Sequence, residues 1–170
     1  RWEFLHELVK RAGNRFPRAA AKGLQLWRCK DGYVTWLLTG GVTGAKQMNA
    51  LVGWMSELNQ AGILKDIDWG TLHLSKISQE ELGSWETVIE TFFMNFTLDE
   101  LEREAISRSI PMARLNRIDH VAQDVQLTAR NFWKEFPVPE TDQSVKYPAF
   151  PYVTNEGDTR VKSRAPLIGE

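Results

Sequence analysis

The sequence has a single cysteine, only three histidines and no dense run of basic residues. Cys29 cannot form a disulfide within the chain, so a reducing, cytoplasmic compartment is expected, and we interpret the thiol as a small buried hydrophobe in a strand. The 21 Lys and Arg side chains nearly balance the 22 Asp and Glu, which gives no electrostatic footprint for nucleic acid or for an anionic membrane. No apolar run approaches the ~20 residues of a membrane span.

Familiar catalytic motifs are missing as well. The sequence contains no Gly-x-Ser-x-Gly, no Walker loop and no Cys-x-x-Cys. His6, His73 and His120 lie far apart, without the i, i+4 spacing of a helical metal site. Asp119 stands next to His120, but neighbours on a helix point in different directions, so we do not interpret the pair as a dyad. No catalytic, cofactor-binding or metal-binding residue is nominated.

The first half of the chain shows two helical patterns, which are recognised by apolar residues at helical spacing. One covers residues 2–12 and stops at Gly13. The chain begins at Arg1 without an initiator Met and is already inside this helical pattern, so it is expected to be a piece of a longer protein. The other helix is predicted to begin with Thr43 as its cap and to end at Gly62.

Two capping boxes predict successive helices further along the chain. Ser78 with Glu81, and Thr97 with Glu100, place a hydroxyl and a carboxylate three residues apart. The Met and aromatic stripe of the first helix is interpreted as core. Pro111 should stop the second helix and lead into an extended run.

Three shorter predictions follow from turn residues. Asp31-Gly32 between the apolar runs 24–29 and 33–38 is a strong hairpin signal. Gly40-Gly41 is interpreted as a plain strand-to-helix turn, with anion binding as the alternative. The cationic run 14–23 is interpreted as a solvated connector, with a phosphate-contacting loop as the alternative.

In the middle of the chain, Trp69 is expected to anchor an irregular crossing. Towards the C-terminus, Asp119 is expected to cap a short helical turn. Lys134 to Thr159 carries four prolines and few periodic apolar positions, so it should run extended, with one strand at 150–153.

Three stretches, in order, resemble the C-terminal third of the family III CoA-transferases of the CaiB/BaiF type. That family includes formyl-CoA, carnitine and benzylsuccinate CoA-transferases and α-methylacyl-CoA racemase. The stretches are the hairpin Trp27–Val34, the run from Ile110-Pro-x-Ala through Val-Ala-Gln-Asp124 to Phe132-Trp133, and Tyr147-Pro-x-x-Pro followed by Ala165-Pro-Leu-Ile-Gly-Glu170.

The resemblance implies an α+β small domain, in which a β-hairpin-based antiparallel sheet is packed by helices, and an extended C-terminal return segment. The implied bounds are 1–22 for a helix and connector from a preceding large domain, 23–134 for the small domain, and 135–170 for the segment returning to the large domain.

The resemblance also implies CoA transfer between an acyl-CoA thioester and a carboxylic acid. In this family an aspartate of the large domain attacks the thioester, and an anhydride and then an aspartyl-CoA thioester follow. That nucleophile is expected upstream of Arg1, so this chain alone is expected to be inactive. None of six aspartates stands in the family's motif: Asp31, Asp66, Asp68, Asp99, Asp119 and Asp124.

Partners and alternatives follow from the same resemblance. Acyl-CoA and a carboxylic acid acceptor are the implied substrates, with no tightly bound cofactor, in an interlocked homodimer. Contacts to the acyl group are expected from the 39–44 loop or the 14–23 connector. Two alternatives stay open: an acyl-CoA racemase of the same family, and a non-catalytic module that binds a protein through a surface rich in tryptophan, of which the chain has seven.

Overall fold

A computed structural model describes residues 6, 8, 13–17, 21–138, 141, 143–150, 152, 154 and 155. Helices and small antiparallel sheets make up the fold, which confirms the predicted α+β class. The chain divides into two compact units, Arg1–Leu115 and Asn116–Glu170. The domain bounds implied by the resemblance concern a longer parent protein and stay a prediction.

The described residues of the first unit form two antiparallel sheets. One joins β1 (Arg15–Pro17) to β2 (Lys22–Leu24). The other joins β3 (Leu26–Arg28), β4 (Tyr33–Thr35) and β5 (Ala113–Arg114), in that order. The β3–β4 pair confirms the predicted hairpin. The described part of the connector predicted over 14–23 forms paired strands, while Phe16, Pro17 and Lys22 stay exposed, as expected for a solvated stretch.

The described residues of this unit also form three α-helices and two short 3-10 turns: α1 (Gly41–Glu57), α2 (Gln79–Phe93), α3 (Leu98–Ser107), Gly62–Asp66 and Leu74–Lys76. The first predicted helix, over 2–12, lies outside the described residues except at His6 and Leu8, neither of which is helical.

Both predicted ends of α1 are wrong. Gly40 precedes the helix without a side-chain cap, and Thr43 lies exposed inside the first turn. At the other end, Asn59 adopts a φ of 57°, so the helix stops before Gly62, which begins a 3-10 turn instead. Asparagine adopts this left-handed conformation more readily than most other non-glycine residues, and the helix ends before Gly62 is reached.

The predicted starts of α2 and α3 are both correct. The Thr97 hydroxyl and the Glu100 carboxylate each accept from the other's backbone N–H, which completes the capping box. At Ser78 the hydroxyl accepts from the Glu81 N–H at 3.1 Å. In this described stretch the Glu81 carboxylate does not accept from the Ser78 N–H, so this capping box is only half formed.

Aromatic side chains fill the core between the three-stranded sheet and the helices. Trp27, Trp36 and Phe93 meet with ring centroids 5.5 to 6.1 Å apart, and Phe93 presents its ring at a steep angle to both indoles. Trp69 is buried against Trp85, which confirms it as an anchor. The stripe on α2 is therefore core, as predicted.

Tryptophan fluorescence should report this burial directly. Five indoles are at most 4 % exposed: Trp27, Trp36, Trp54, Trp69 and Trp85. We expect blue-shifted emission that acrylamide quenches poorly, and a red shift on unfolding in urea. The binding-module alternative requires a surface rich in tryptophan, and these five buried indoles contradict it. Strong acrylamide quenching in the folded protein would contradict their burial.

In the part of the second unit that the structure describes, there are two short helices and one hairpin: α4 (Ile118–Ala122), α5 (Val125–Ala129), β6 (Trp133–Val138) and β7 (Gln143–Pro148). Asp119 does not cap α4, because the helix begins two residues earlier than predicted, with Arg117 at the cap position. Asp124 caps α5 instead, with its carboxylate accepting from the Leu127 N–H at 2.8 Å.

Residues 133–138 and 143–148 of the predicted extended segment pair as a hairpin, so the strands lie earlier than the one predicted at 150–153. The register pairs Trp133 with Pro148, so the ladder of β7 ends there. Phe150 and Tyr152 lie in no strand, and the other two positions of the predicted strand at 150–153 are outside the described residues. Among the helices described, none has both the length and the apolar character needed to cross a lipid bilayer.

Candidate functional site

The turn between β3 and β4 packs on the start of α3. The Lys30 N–H donates to the Phe96 carbonyl at 2.9 Å, and the Asp31 carboxylate accepts from the Leu98 N–H at 2.8 Å. A Cβ on Gly32 would lie 2.8 Å from a Leu98 methyl carbon, closer than real Cβ atoms approach. Asp31 therefore supplies an acceptor to a helix donor, and a side chain at position 32 would have to displace the end of the Leu98 side chain.

Glu100 is held as a carboxylate at this junction. Hydrogen bonds from the backbone N–H and the hydroxyl of Thr97, assisted by the nearby charges of Lys30 and Arg103, lower the pKa of Glu100. The two bonds measure 2.8 and 3.0 Å. Because both atoms of Thr97 use the same carboxylate oxygen, the group is committed to capping α3 and is a poor candidate for proton transfer.

Cys29 lies buried one residue after β3, and burial raises the pKa of its thiol. Its Sγ lies 3.7 Å from Asp31 Oδ1, to which the thiol donates. The thiolate is the nucleophilic form of cysteine, and this site favours the neutral thiol. The interpretation of Cys29 as a small buried side chain is confirmed, although the residue lies just beyond the strand.

The 39–44 loop is closely packed and is not an open anion site at Gly41. The Gly41 N–H donates to the Trp69 carbonyl at 2.9 Å. A Cβ on Gly40 would lie 3.2 Å from the Leu72 carbonyl, and one on Gly44 would lie 2.7 Å from Thr39 Cβ. These glycines therefore serve close packing of the loop, as the plain-turn interpretation requires.

The 14–23 stretch offers fewer cations than its sequence suggests. The Arg15 guanidinium lies 2.9 Å from a carboxylate oxygen of Glu86 and 2.7 Å from the Lys22 carbonyl. Arg18 lies outside the described residues. Arg15 is therefore already paired within the fold, which weakens the alternative of a phosphate-contacting loop.

The candidate aspartates are dispersed, and most of them hold local structure. Asp68 accepts from the Gly70 N–H and the Thr71 hydroxyl, and the Thr71 bond is the main cause of a lowered pKa at Asp68. Asp66 is exposed at the end of a 3-10 turn. The remaining partners are Leu98 N–H for Asp31, Arg114 for Asp99, Arg117 for Asp119 and Leu127 N–H for Asp124.

His73 and His120 lie in different elements of the chain. His73 is exposed just before a 3-10 turn, and His120 lies in α4. Asp119 pairs with Arg117 at 3.2 Å, and no hydrogen bond joins it to His120 within the described second unit. Over the described residues no group of His, Cys, Asp and Glu side chains could hold a metal ion.

Sequence reasoning missed one polar side chain, Glu86. Glu86 is 3 % exposed. Among the described residues it is the one charged side chain that is buried. The signal was present, because Glu86 falls on the same helical stripe as Leu82 and Ile89. A charge on an apolar stripe indicates a specific partner.

Comparison with known families identifies one match. The family model described as CoA-transferase family III matches residues 4–170 of the chain. No curated protein matches the chain.

Proposed function

The chain belongs to CoA-transferase family III, and from this premise we propose that it forms the small domain of an enzyme that moves CoA from an acyl-CoA thioester to a carboxylic acid. Family membership supports CoA transfer in general. The small-domain role is supported by the packing of the Asp-Gly hairpin on α3, which gives a physical reason for the motif on which the resemblance rested.

We propose that the nucleophile is an aspartate of the large domain, upstream of Arg1. Its carboxylate would attack the thioester carbonyl and expel CoA thiolate, leaving a mixed anhydride. The thiolate would then attack the aspartyl carbonyl, release the first acid and form an aspartyl-CoA thioester. The acceptor carboxylate would then attack the aspartyl-CoA thioester and expel CoA thiolate, leaving a second anhydride. The thiolate would attack the acceptor's carbonyl carbon in that anhydride, which forms the new acyl-CoA and releases the aspartate. This assignment is supported by the described aspartates, since five of the six named above already hydrogen-bond or pair within the fold.

Within this chain, we propose that the start of α1 contacts the acyl group. Val42 is 94 % exposed there, and Thr43 is exposed beside it. An apolar side chain at the surface suits an acyl chain better than it suits water. We further propose a homodimer as the working assembly, and a cytoplasmic location, which the single cysteine supports.

Trapping the enzyme thioester tests this proposal. The full gene product is incubated with succinyl-CoA, formyl-CoA or acetyl-CoA and then treated with borohydride, which reduces an aspartyl thioester to homoserine. Peptide mass spectrometry is expected to find homoserine outside residues 1–170. Homoserine at Asp31, Asp68 or another aspartate described above would contradict the proposal.

The same reaction distinguishes the racemase alternative. With a 2-methylacyl-CoA in deuterated water and no acceptor acid, a transferase should leave the α-hydrogen in place. Uptake of deuterium at that carbon without a trapped thioester would indicate racemisation and would contradict the proposed transfer.

A further inference from the structure

Two polar side chains of α2 reach the same short strand. Gln79 accepts from the Lys22 N–H at 2.8 Å and donates to the Lys22 carbonyl at 3.4 Å. Glu86, seven residues along the helix, accepts from the Leu24 N–H at 2.7 Å. Residues seven apart lie on one face of a helix, so both side chains project towards one edge of β2.

The spacing of the two contacted amides matches the geometry of a strand edge. Lys22 and Leu24 are two residues apart, and alternate residues of a strand direct their backbone groups to the same edge. β1 occupies the other edge of β2. The side chains of Gln79 and Glu86 therefore occupy the place where a third strand would supply acceptors, and the Gln79 amide both accepts and donates, as a peptide group does.

The charge of Glu86 also holds β1. Its second oxygen accepts from Arg15, which in turn donates to the Lys22 carbonyl. A buried carboxylate is costly to desolvate, and an apolar side chain of similar volume is often neutral or stabilising at such a position. Stability of α2 alone therefore does not account for Glu86, whereas fixing the position of β1 and β2 does.

We infer that Glu86 and Gln79 act as a surrogate strand, which anchors the β1–β2 pair to α2 and closes the outer edge of β2 to other strands. This anchoring is separate from the proposed CoA transfer and does not depend on it. An unpaired strand edge is a template for adding another chain, and covering it is a recognised way in which proteins prevent this.

Amide hydrogen exchange measured residue by residue tests the inference. Glu86→Leu should speed exchange at Leu24 by about tenfold or more, and Gln79→Ala should do so at Lys22, because each amide loses its acceptor. Glu86→Gln keeps an acceptor for the Leu24 amide and should restore slow exchange there. Glu90→Gln removes the same charge from the same helix and serves as the matched control.

The outcomes separate local anchoring from general weakening. Faster exchange confined to residues 22–24 and to β1, with the amides of α1 and α3 unchanged, supports the surrogate strand. A uniform increase across α1, α2 and α3 in Glu86→Leu would overturn it, as would unchanged exchange at Leu24. If Glu86→Leu fails to fold, the Gln79→Ala comparison at Lys22 decides in the same way.

Discussion

Replacing Phe93 with alanine is expected to destabilise the first unit by about 3–5 kcal/mol, the usual cost of removing a fully buried aromatic side chain. Phe93 is fully buried, and its ring meets Trp27 and Trp36 edge-on, with centroids 5.8 and 6.1 Å away. The substitution removes apolar burial together with three aromatic contacts, to Trp27, Trp36 and Phe92. The two rigid indoles leave little scope for the cavity to collapse.

Urea unfolding followed by tryptophan fluorescence measures this loss, because the reporting indoles line the cavity. Met94→Ala is the matched control: Met94 follows Phe93 directly, is 38 % exposed and should cost less than about 1 kcal/mol. Equal losses in the two variants, or a loss below about 1 kcal/mol in Phe93→Ala, would contradict the assignment of Phe93 to the centre of the core.

Local signals in the sequence predicted much of the first unit correctly. The Asp-Gly turn, the Thr97–Glu100 capping box and the apolar stripe of α2 depend on residues close together in the chain, so their patterns carry the geometry. The end of α1 was misplaced because two residues competed for it, and Asn59 took the left-handed conformation before Gly62 was reached.

Features set by distant contacts were not predictable in this way. The sequence of β1 and β2 indicated only a connector. The acceptors for the outer edge of β2 come from Gln79 and Glu86, more than fifty residues away, and a local pattern does not show such contacts. The strand of the second unit was placed too late, since its register depends on pairing with β6 rather than on its own apolar residues.

The candidate site was predictable only as a resemblance. The sequence identified the Asp-Gly hairpin as a family motif but gave no reason for the aspartate beyond the turn itself. The reason lies across the fold, where the Leu98 N–H at the start of α3 needs an acceptor that Thr97 does not supply. Resemblance and packing therefore point to the same residue, Asp31, as a structural part of the hairpin.

Asp31→Ala is accordingly expected to reduce stability by about 0.5–2 kcal/mol, the cost of losing a side-chain acceptor at a helix start. Asp31→Asn keeps a carbonyl oxygen in the place of Oδ1 and should cost a smaller part of this, because the Leu98 N–H still finds a partner. Thermal unfolding of both variants beside the wild type measures the difference. Equal losses would show that the charge of Asp31, rather than its hydrogen bond, matters.

The same pair of variants separates a structural aspartate from a nucleophile. An amide cannot form the anhydride, so Asp31→Asn would abolish enzyme thioester formation if Asp31 attacked acyl-CoA. Since the Asp31 carboxylate accepts from the backbone of α3 and lies beside a neutral thiol, we expect the folded Asp31→Asn enzyme to form the thioester as the wild type does. Loss of the thioester in a variant that unfolds at the wild-type temperature would overturn this assignment and place the chemistry at the turn itself.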